Sequence, residues 1–266
     1  MSKTKTGGGF SALVASLAIV IAVGIGIAIY HFILGDKANF VDGDVLEGHP
    51  LNTLGTVYKG GIIVPMLIAV NIIVMIFAVE RFVTMAKSRG RGNINTFVAK
   101  IKGLLAANNV SEAIAECDKQ KGSLANVVRA GLVKYEAVKT DASMDKEQKA
   151  EVIKTELEEA TALELPMLSK NLVVISTCAS IGVLIGLIGT VMGMIRSFEA
   201  MGAGTPDTSK LSVGISEALI NTFLGIFAST LSIVLYNIFT TKVDQVTHSM
   251  DEASFSIVQS FSANNK

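Results

Sequence analysis

Four almost purely apolar runs interrupt the 266-residue chain, and each is long enough to cross a bilayer as a helix. The first, Phe10 to Leu34, holds no charge, with one histidine, His31, near its end. The second, Ile62 to Val79, is closed by Glu80 and Arg81. The third runs from Leu172 to Ile195 and the fourth from Leu211 to Phe239, with Glu217 its single acid. At ~1.5 Å per residue, runs of this length reach across a hydrocarbon core of ~30 Å. Between the second and third runs the pattern is polar and helical. Ala150, Ile153, Leu157 and Ala160 recur at helical spacing, with Glu147, Glu151, Lys154 and Glu158 on the opposite face. Shorter helices are predicted from Asn95 to Ala107, from a Ser111 cap, and from Gly122-Ser123 to Lys139, before the strongest one opens at Ser143. Pro166 should kink that helix without stopping it short of the third run. Lys242 to Gln259 reads as a helical extension of the fourth run, and Pro50 to Tyr58 as a short helix in an irregular loop. No strand pattern and no internal repeat is visible.

The expected fold class is therefore an all-α integral membrane protein, with long transmembrane helices that extend into a cytoplasmic helical domain. Its segments read as a leader (1–9), an N-terminal span (10–34), an external loop (35–61), a second span (62–80), a polar helical domain (81–170), a third span (171–196), a turn (197–210), a fourth span (211–240) and a helical tail (241–266). Lysine and arginine near the spans set the orientation. Lys3 and Lys5 precede the first run, and Arg81, Lys87, Arg89 and Arg91 follow the second; Asp36, Asp42, Asp44 and Glu47 crowd the loop between them. The termini and residues 81–170 are thus expected in the cytoplasm. A signal peptide is the alternative for the first run. That run is longer than a typical signal core and no small-x-small cleavage site follows, so it is read as a retained span.

Composition agrees with a membrane protein: 50% of residues are hydrophobic and 17% charged, against about 25% charged in ordinary soluble domains. Twenty-three basic and 23 acidic residues cancel, which speaks against a nucleic-acid partner. Cys117 and Cys178 make no disulfide framework. His31, His49 and His248 are too scattered for a metal site or a nucleophile with its base. No phosphate-binding glycine loop and no nucleophile elbow is present. No enzymatic activity, metal or cofactor is expected.

The residues that interrupt the apolar runs carry the chemistry. In the third run Ala179, Gly182, Gly186, Thr190, Gly193 and Ser197 share one face, with Gly189 beside them. In the fourth, Ala218, Thr222, Gly225, Ser229 and Ser232 do the same. Two readings follow: close packing of helix on helix, as small residues allow in lipid, or the lining of a cavity. Glu217 is costly inside a bilayer, at least ~2.5 kcal/mol on insertion scales, and so marks either an ion path or, two turns from the external end, a group that reaches water. Asn71 suggests an interhelical hydrogen bond. Glu80 and Arg81 read as an interfacial pair, and Arg196 as a side chain that snorkels or pairs with Glu199 or Glu217.

Two of these stretches resemble known signatures. Gly186-Leu187-Ile188-Gly189-Thr190-Val191-Met192-Gly193-Met194-Ile195, with Phe198, is similar to the GLLGTVxGMIxxF motif of the MotA/TolQ/ExbB proton-channel family. Ser216-Glu217-Ala218-Leu219-Ile220-Asn221-Thr222-Phe223-Leu224-Gly225, with Tyr236-Asn237, resembles its EALxxTxxGL motif and terminal Tyr-Asn pair. Glu80-Arg81 matches the exit of the family's first core span. Within the family, the ExbB and TolQ branches are most similar. The resemblance implies a homopentameric ring in the bacterial inner membrane around a dimer of a single-span partner, ExbD-like or TolR-like, coupled to a TonB-like energiser of outer-membrane transport. It further implies that an aspartate of the partner carries the proton, that Thr190 and Thr222 face it, and that Glu217 is the acid near the external mouth. It places Gly182, Gly186, Gly189, Gly193, Gly225 and Ser229 at helix packing around the pore or ring interface. Two departures stand out. Gly182 and Val183 occupy positions where the family usually has a proline before the glycine motif, and the span from Phe10 to Leu34 is additional to the common three. A TolQ-like envelope motor, a motility stator and a non-conducting scaffold remain alternatives at this point.

Overall fold

Residues with strong helical periodicity fold as helices in the computed structural model, which describes residues 7–45, 48–202 and 208–264, with side chains from 16 onward. Lys3, Lys5, Glu47 and residues 203–207 of the turn expected at 197–210 lie outside the described residues.

The order is α1 (Gly7–Ala28), a π-helical turn (Ile29–Leu34), two 3-10 turns, α2 (Thr53–Tyr58), a 3-10 turn, then α3 (Val64–Ser88), α4 (Ile94–Ala106), α5 (Val110–Gln120), α6 (Ser123–Lys139), α7 (Lys146–Ser169), α8 (Leu172–Gly202) and α9 (Thr208–Asn264). The only extended pairing among the described residues is an isolated bridge, Phe40 to Pro50. Helix α1 begins at Gly7, so glycines 7 to 9 are helical rather than part of a loose leader. Among the described residues, four helical stretches are long and apolar enough to cross a membrane, within Ser16–Leu34, Gly61–Ser88, Lys146–Gly202 and Thr208–Asn264. At about 1.5 Å per residue, the 57 residues of α9 extend well past any bilayer core.

Contacts divide the chain into two units: Met1–Val79 with Val173–Tyr236, and Glu80–Leu172 with Asn237–Lys266. In the first, α8 and α9 pack through their small residues. The N-terminal α1 lies against α3 through Gly26, where a Cβ would fall 2.7 Å from the Pro65 carbonyl oxygen. Above α1, Tyr30 stacks on Tyr58 with ring centroids 4.5 Å apart, and its hydroxyl donates to the Tyr58 carbonyl.

In the second unit a conventional core forms. Val127, Val128, Leu132 and Tyr135 of α6 and Ile153 and Leu157 of α7 are buried. The tail of α9 contributes Val243, Val246, Met250, Ala253 and Ile257, an alternating three- and four-residue spacing that keeps one face of the helix inward. Phe261 meets Tyr135 edge-on at 4.9 Å.

The caps differ from the sequence expectation in two places. Asn109, not Ser111, caps α5, accepting from the Glu112 N–H. Asp145, not Ser143, opens α7 in a capping box with Gln148; the Ser143 hydroxyl instead donates to Asp141. The helix from α7 toward α8 does not run through unbroken either. Pro166 is accommodated inside α7, and the break falls at Asn171, whose φ of 61° is left-handed. Asparagine tolerates that conformation better than most side chains do.

Candidate functional site

The α8 and α9 motifs face one another. A Cβ on Gly193 would lie 2.6 Å from the Gly214 carbonyl oxygen and 2.7 Å from the Ala218 nitrogen; on Gly225, it would lie 2.6 Å from the Gly182 oxygen. Gly182 and Gly186 oppose Gly225 in the same seam, and Gly189 sits under the Asn221 side chain. The Ser229 hydroxyl donates to the Ala179 carbonyl at 2.6 Å. Within one chain, then, the glycine stripe is a helix-packing seam, because backbone meets backbone where any side chain would intrude.

Thr190 and Thr222 meet midway along this seam, their hydroxyl oxygens 2.6 Å apart. Each also lies within hydrogen-bond reach of a carbonyl one turn back, Thr190 of Gly186 at 3.0 Å and Thr222 of Ala218 at 3.1 Å. Three short O···O contacts share only two hydroxyl protons. One threonine therefore donates to the other, which donates to its own helix, and the pair has two equivalent arrangements. Both residues are half-buried.

Glu217 lies one turn before the pair on α9. It is 2% exposed, and Arg196 Nη1 donates to both its oxygens, at 2.5 and 2.6 Å. The carboxylate is thus buried within the chain, while the Arg196 side chain that holds it is 47% exposed. Gly61, at φ +79°, closes over the carboxylate, and a Cβ there would collide with Glu217 Oε1. Only glycine meets both the backbone conformation and the space.

Asn221 was not singled out by the sequence. It is fully buried, its Nδ2 donates to the Gly60 carbonyl at 2.8 Å, and its Oδ1 has no hydrogen-bond partner among the described residues. Asn221 thus ties α9 to the turn that covers Glu217. The available signal was a lone amide in an apolar run. Asn71, which carried the same signal, makes no interhelical bond among the described residues: its Nδ2 returns to the Leu67 carbonyl on its own helix at 2.9 Å.

In the second unit, Arg81 is 1% exposed and grips Glu80 through Nε and Nη2 at 2.7 and 2.6 Å. Its Nη1 reaches the Leu168 carbonyl at 3.3 Å near the end of α7, where a cation complements the helix dipole. Asn171 and Thr84 also donate to Glu80. With Arg81 buried and the Glu80 side chain 39% exposed, these residues form a clasp on the α7–α8 break. No group of three or more potential metal ligands occurs among the described residues.

Residues 119–252 match the model of the MotA/TolQ/ExbB proton channel family. The chain belongs to this family. With four bilayer-length apolar helices, it is a multi-pass membrane protein. It is similar to a putative biopolymer transport protein ExbB-like 3 of Synechocystis sp., 36% identical over 86 residues, 31% of this chain and 41% of that protein. The biopolymer transport protein ExbB of Pseudomonas putida is 27% identical over 234 residues, 84% of this chain and 68% of the relative. The Tol-Pal system protein TolQ of Pseudomonas aeruginosa is 27% identical over 121 residues, 45% of this chain and 52% of the relative. The match to the Synechocystis protein thus spans less than half of that relative's length.

Proposed function

We propose that this chain is the ring-forming, ExbB-like subunit of a proton-driven motor in the bacterial inner membrane. Five copies surround a pore holding a dimer of a single-span, ExbD-like or TolR-like partner, and the assembly drives outer-membrane transport through a TonB-like protein. The termini and the polar helices lie on the cytoplasmic side, where the lysines and arginines after α3 gather. The chain's similarity to biopolymer transport proteins supports this reading.

The observation that carries the reading is the Thr190–Thr222 hydroxyl pair at 2.6 Å, in spans whose acids are already engaged. Glu217 is taken up by Arg196 and Glu80 by Arg81, which supports the reading that the family resemblance implies, with the proton-carrying carboxylate on the partner helix. A threonine hydroxyl accepts from a carboxylic acid and donates to a carboxylate. The pair serves either form by turning its two protons, at little cost. Each proton moved through 100 mV supplies ~2.3 kcal/mol, so a mechanical step takes several. Glu217, held by Arg196 beneath Gly61, sits toward the external mouth and shapes entry. The seam of Gly182, Gly186, Gly189, Gly193, Gly225 and Ser229 keeps the threonines at this spacing beside the pore.

Native mass spectrometry of the tagged chain purified from its own membranes tests the assembly. The expected complex has five copies with two of a small protein bearing an aspartate in its apolar span. A chain that purifies as an oligomer without such a partner overturns the motor reading. A TolQ-like role is the second reading, supported by the Pseudomonas aeruginosa relative. It shares the ring and predicts leakage of the outer membrane on gene deletion, where the first predicts loss of TonB-dependent uptake.

A further inference from the structure

Where α3 and α9 leave their apolar stretches, a cavity of about 580 Å³ opens between them and the start of α4, a size typical of small-ligand sites. One wall is apolar, from Phe82 and Met85 on α3. The other carries two cations, Arg89 just past the end of α3 and Lys242 on α9, with His248, Asn95 and Ser249 adding hydrogen-bonding groups. No carboxylate is among its lining residues. Asp244 and Asp251 lie on the same stretch of α9 but outside these walls, and Glu252 is engaged by Lys102 at 2.7 Å. Elsewhere in this unit Lys100, Lys119 and Arg129 each hold an acid. Arg89 and Lys242 hold none among the described residues; Lys242 lies 5.5 Å over the Phe82 ring instead.

We propose that this cavity binds the phosphate headgroup of an anionic phospholipid from the leaflet at this end of the spans. The inference rests on α3 and α9 being membrane spans whose apolar stretches end near Val79 and Phe239. At ~1.5 Å per residue, Phe82 and Lys242 then lie about 4–5 Å past the hydrocarbon edge and Arg89 about 15 Å. The polar layer on each side of the core is roughly 5–8 Å thick, and the long arginine side chain reaches back into it. A 63% exposed phenylalanine at this depth is placed for acyl and glycerol carbons, as aromatic residues at membrane interfaces are. Two unpaired cations beside it supply the charge that a diester phosphate lacks a partner for, and a zwitterionic headgroup would bring a competing ammonium into a cavity that has no carboxylate to receive it. A free phosphate ion fits the cations but leaves the apolar wall bare. That wall favours the lipid source.

The test uses the full protein in nanodiscs of phosphatidylglycerol in phosphatidylcholine, with native mass spectrometry and lipid extraction as readouts. The protein is expected to retain phosphatidylglycerol over phosphatidylcholine, and excess inorganic phosphate should not displace it. Arg89→Gln and Lys242→Gln should each lower that preference about five-fold and together about 25-fold. Lys87→Gln and Arg91→Gln, neighbouring cations outside the cavity, should leave it largely unchanged. An equal loss from those controls, full displacement by phosphate, or a cavity filled by a second copy of the chain with no lipid retained would each overturn the site. Carbonate extraction of every variant tests the span placement separately. Protein released by carbonate refutes the spans, whereas membrane-retained protein indifferent to headgroup charge refutes only the lipid site.

Discussion

Burial makes the two ends of the Arg196–Glu217 pair unequal: the carboxylate side chain is 3% exposed and the arginine 47%. Removing the arginine leaves a buried charge without its partner, whereas removing the charge leaves an arginine that water can still solvate. Arg196→Leu should therefore destabilise by about 1–3 kcal/mol, below the full cost of breaking a wholly buried pair because the arginine side chain is 47% exposed. Glu217→Gln should cost less in stability while impairing turnover. Thermal unfolding in detergent checks the order; a Glu217→Gln variant less stable than Arg196→Leu would contradict this account. Cys117 in α5 illustrates burial without partners. Loss of solvation pushes its thiol pKa up to about 12, so it stays protonated at neutral pH and should resist alkylation until the second unit unfolds. Modification of the native protein as fast as a free thiol would contradict that. Among these residues, the type and placement of Glu217 were legible in the sequence. The sequence left Arg196 to snorkel or to pair with Glu199 or Glu217, and it pairs with Glu217; Asn221 was passed over because a buried amide and its distant carbonyl, Gly60, meet only in three dimensions.

At the scale of elements, the apolar runs and the amphipathic faces were legible because burial in lipid or in a helical core imposes them along the chain. The details that missed are local competitions. Ser111 and Asn109 both suit an N-cap, and Asn108, left-handed at φ 53°, turns the chain so that Asn109 takes the role. Pro166 drew attention as the kink, yet Asn171 ends the helix because its side chain also finds Glu80. The glycine faces admitted both packing and cavity lining. What decides is the distance across the seam, which spacing along one helix does not contain. Gly193→Val should force α8 from α9, since its Cβ would meet backbone atoms, at a cost of about 1–3 kcal/mol. Gly103→Ala is the complementary case. A Cβ there meets nothing within 4 Å, and removing a mid-helix glycine should stabilise by roughly 0.5–1 kcal/mol. Unfolding midpoints that move in the same direction for both variants would contradict the packing assignment.

For the whole molecule, the sequence motifs led to the family, and the family match over residues 119–252 covers half of the chain. The N-terminal α1 lies outside that match. Its place against α3, through Gly26 and the Tyr30–Tyr58 stack, depends on a close backbone approach that no charge or motif announces. The central claim is that the ring supplies hydroxyls and the partner supplies the acid. Proteoliposomes containing the chain and its single-span partner, with a potassium-valinomycin potential and an internal pH dye, test it most directly. Proton uptake is predicted for the native complex, with Thr222→Val reduced to the level of the chain without its partner while the ring remains assembled by native mass spectrometry. Native-rate uptake by Thr190→Val/Thr222→Val, or by the chain alone, would contradict it.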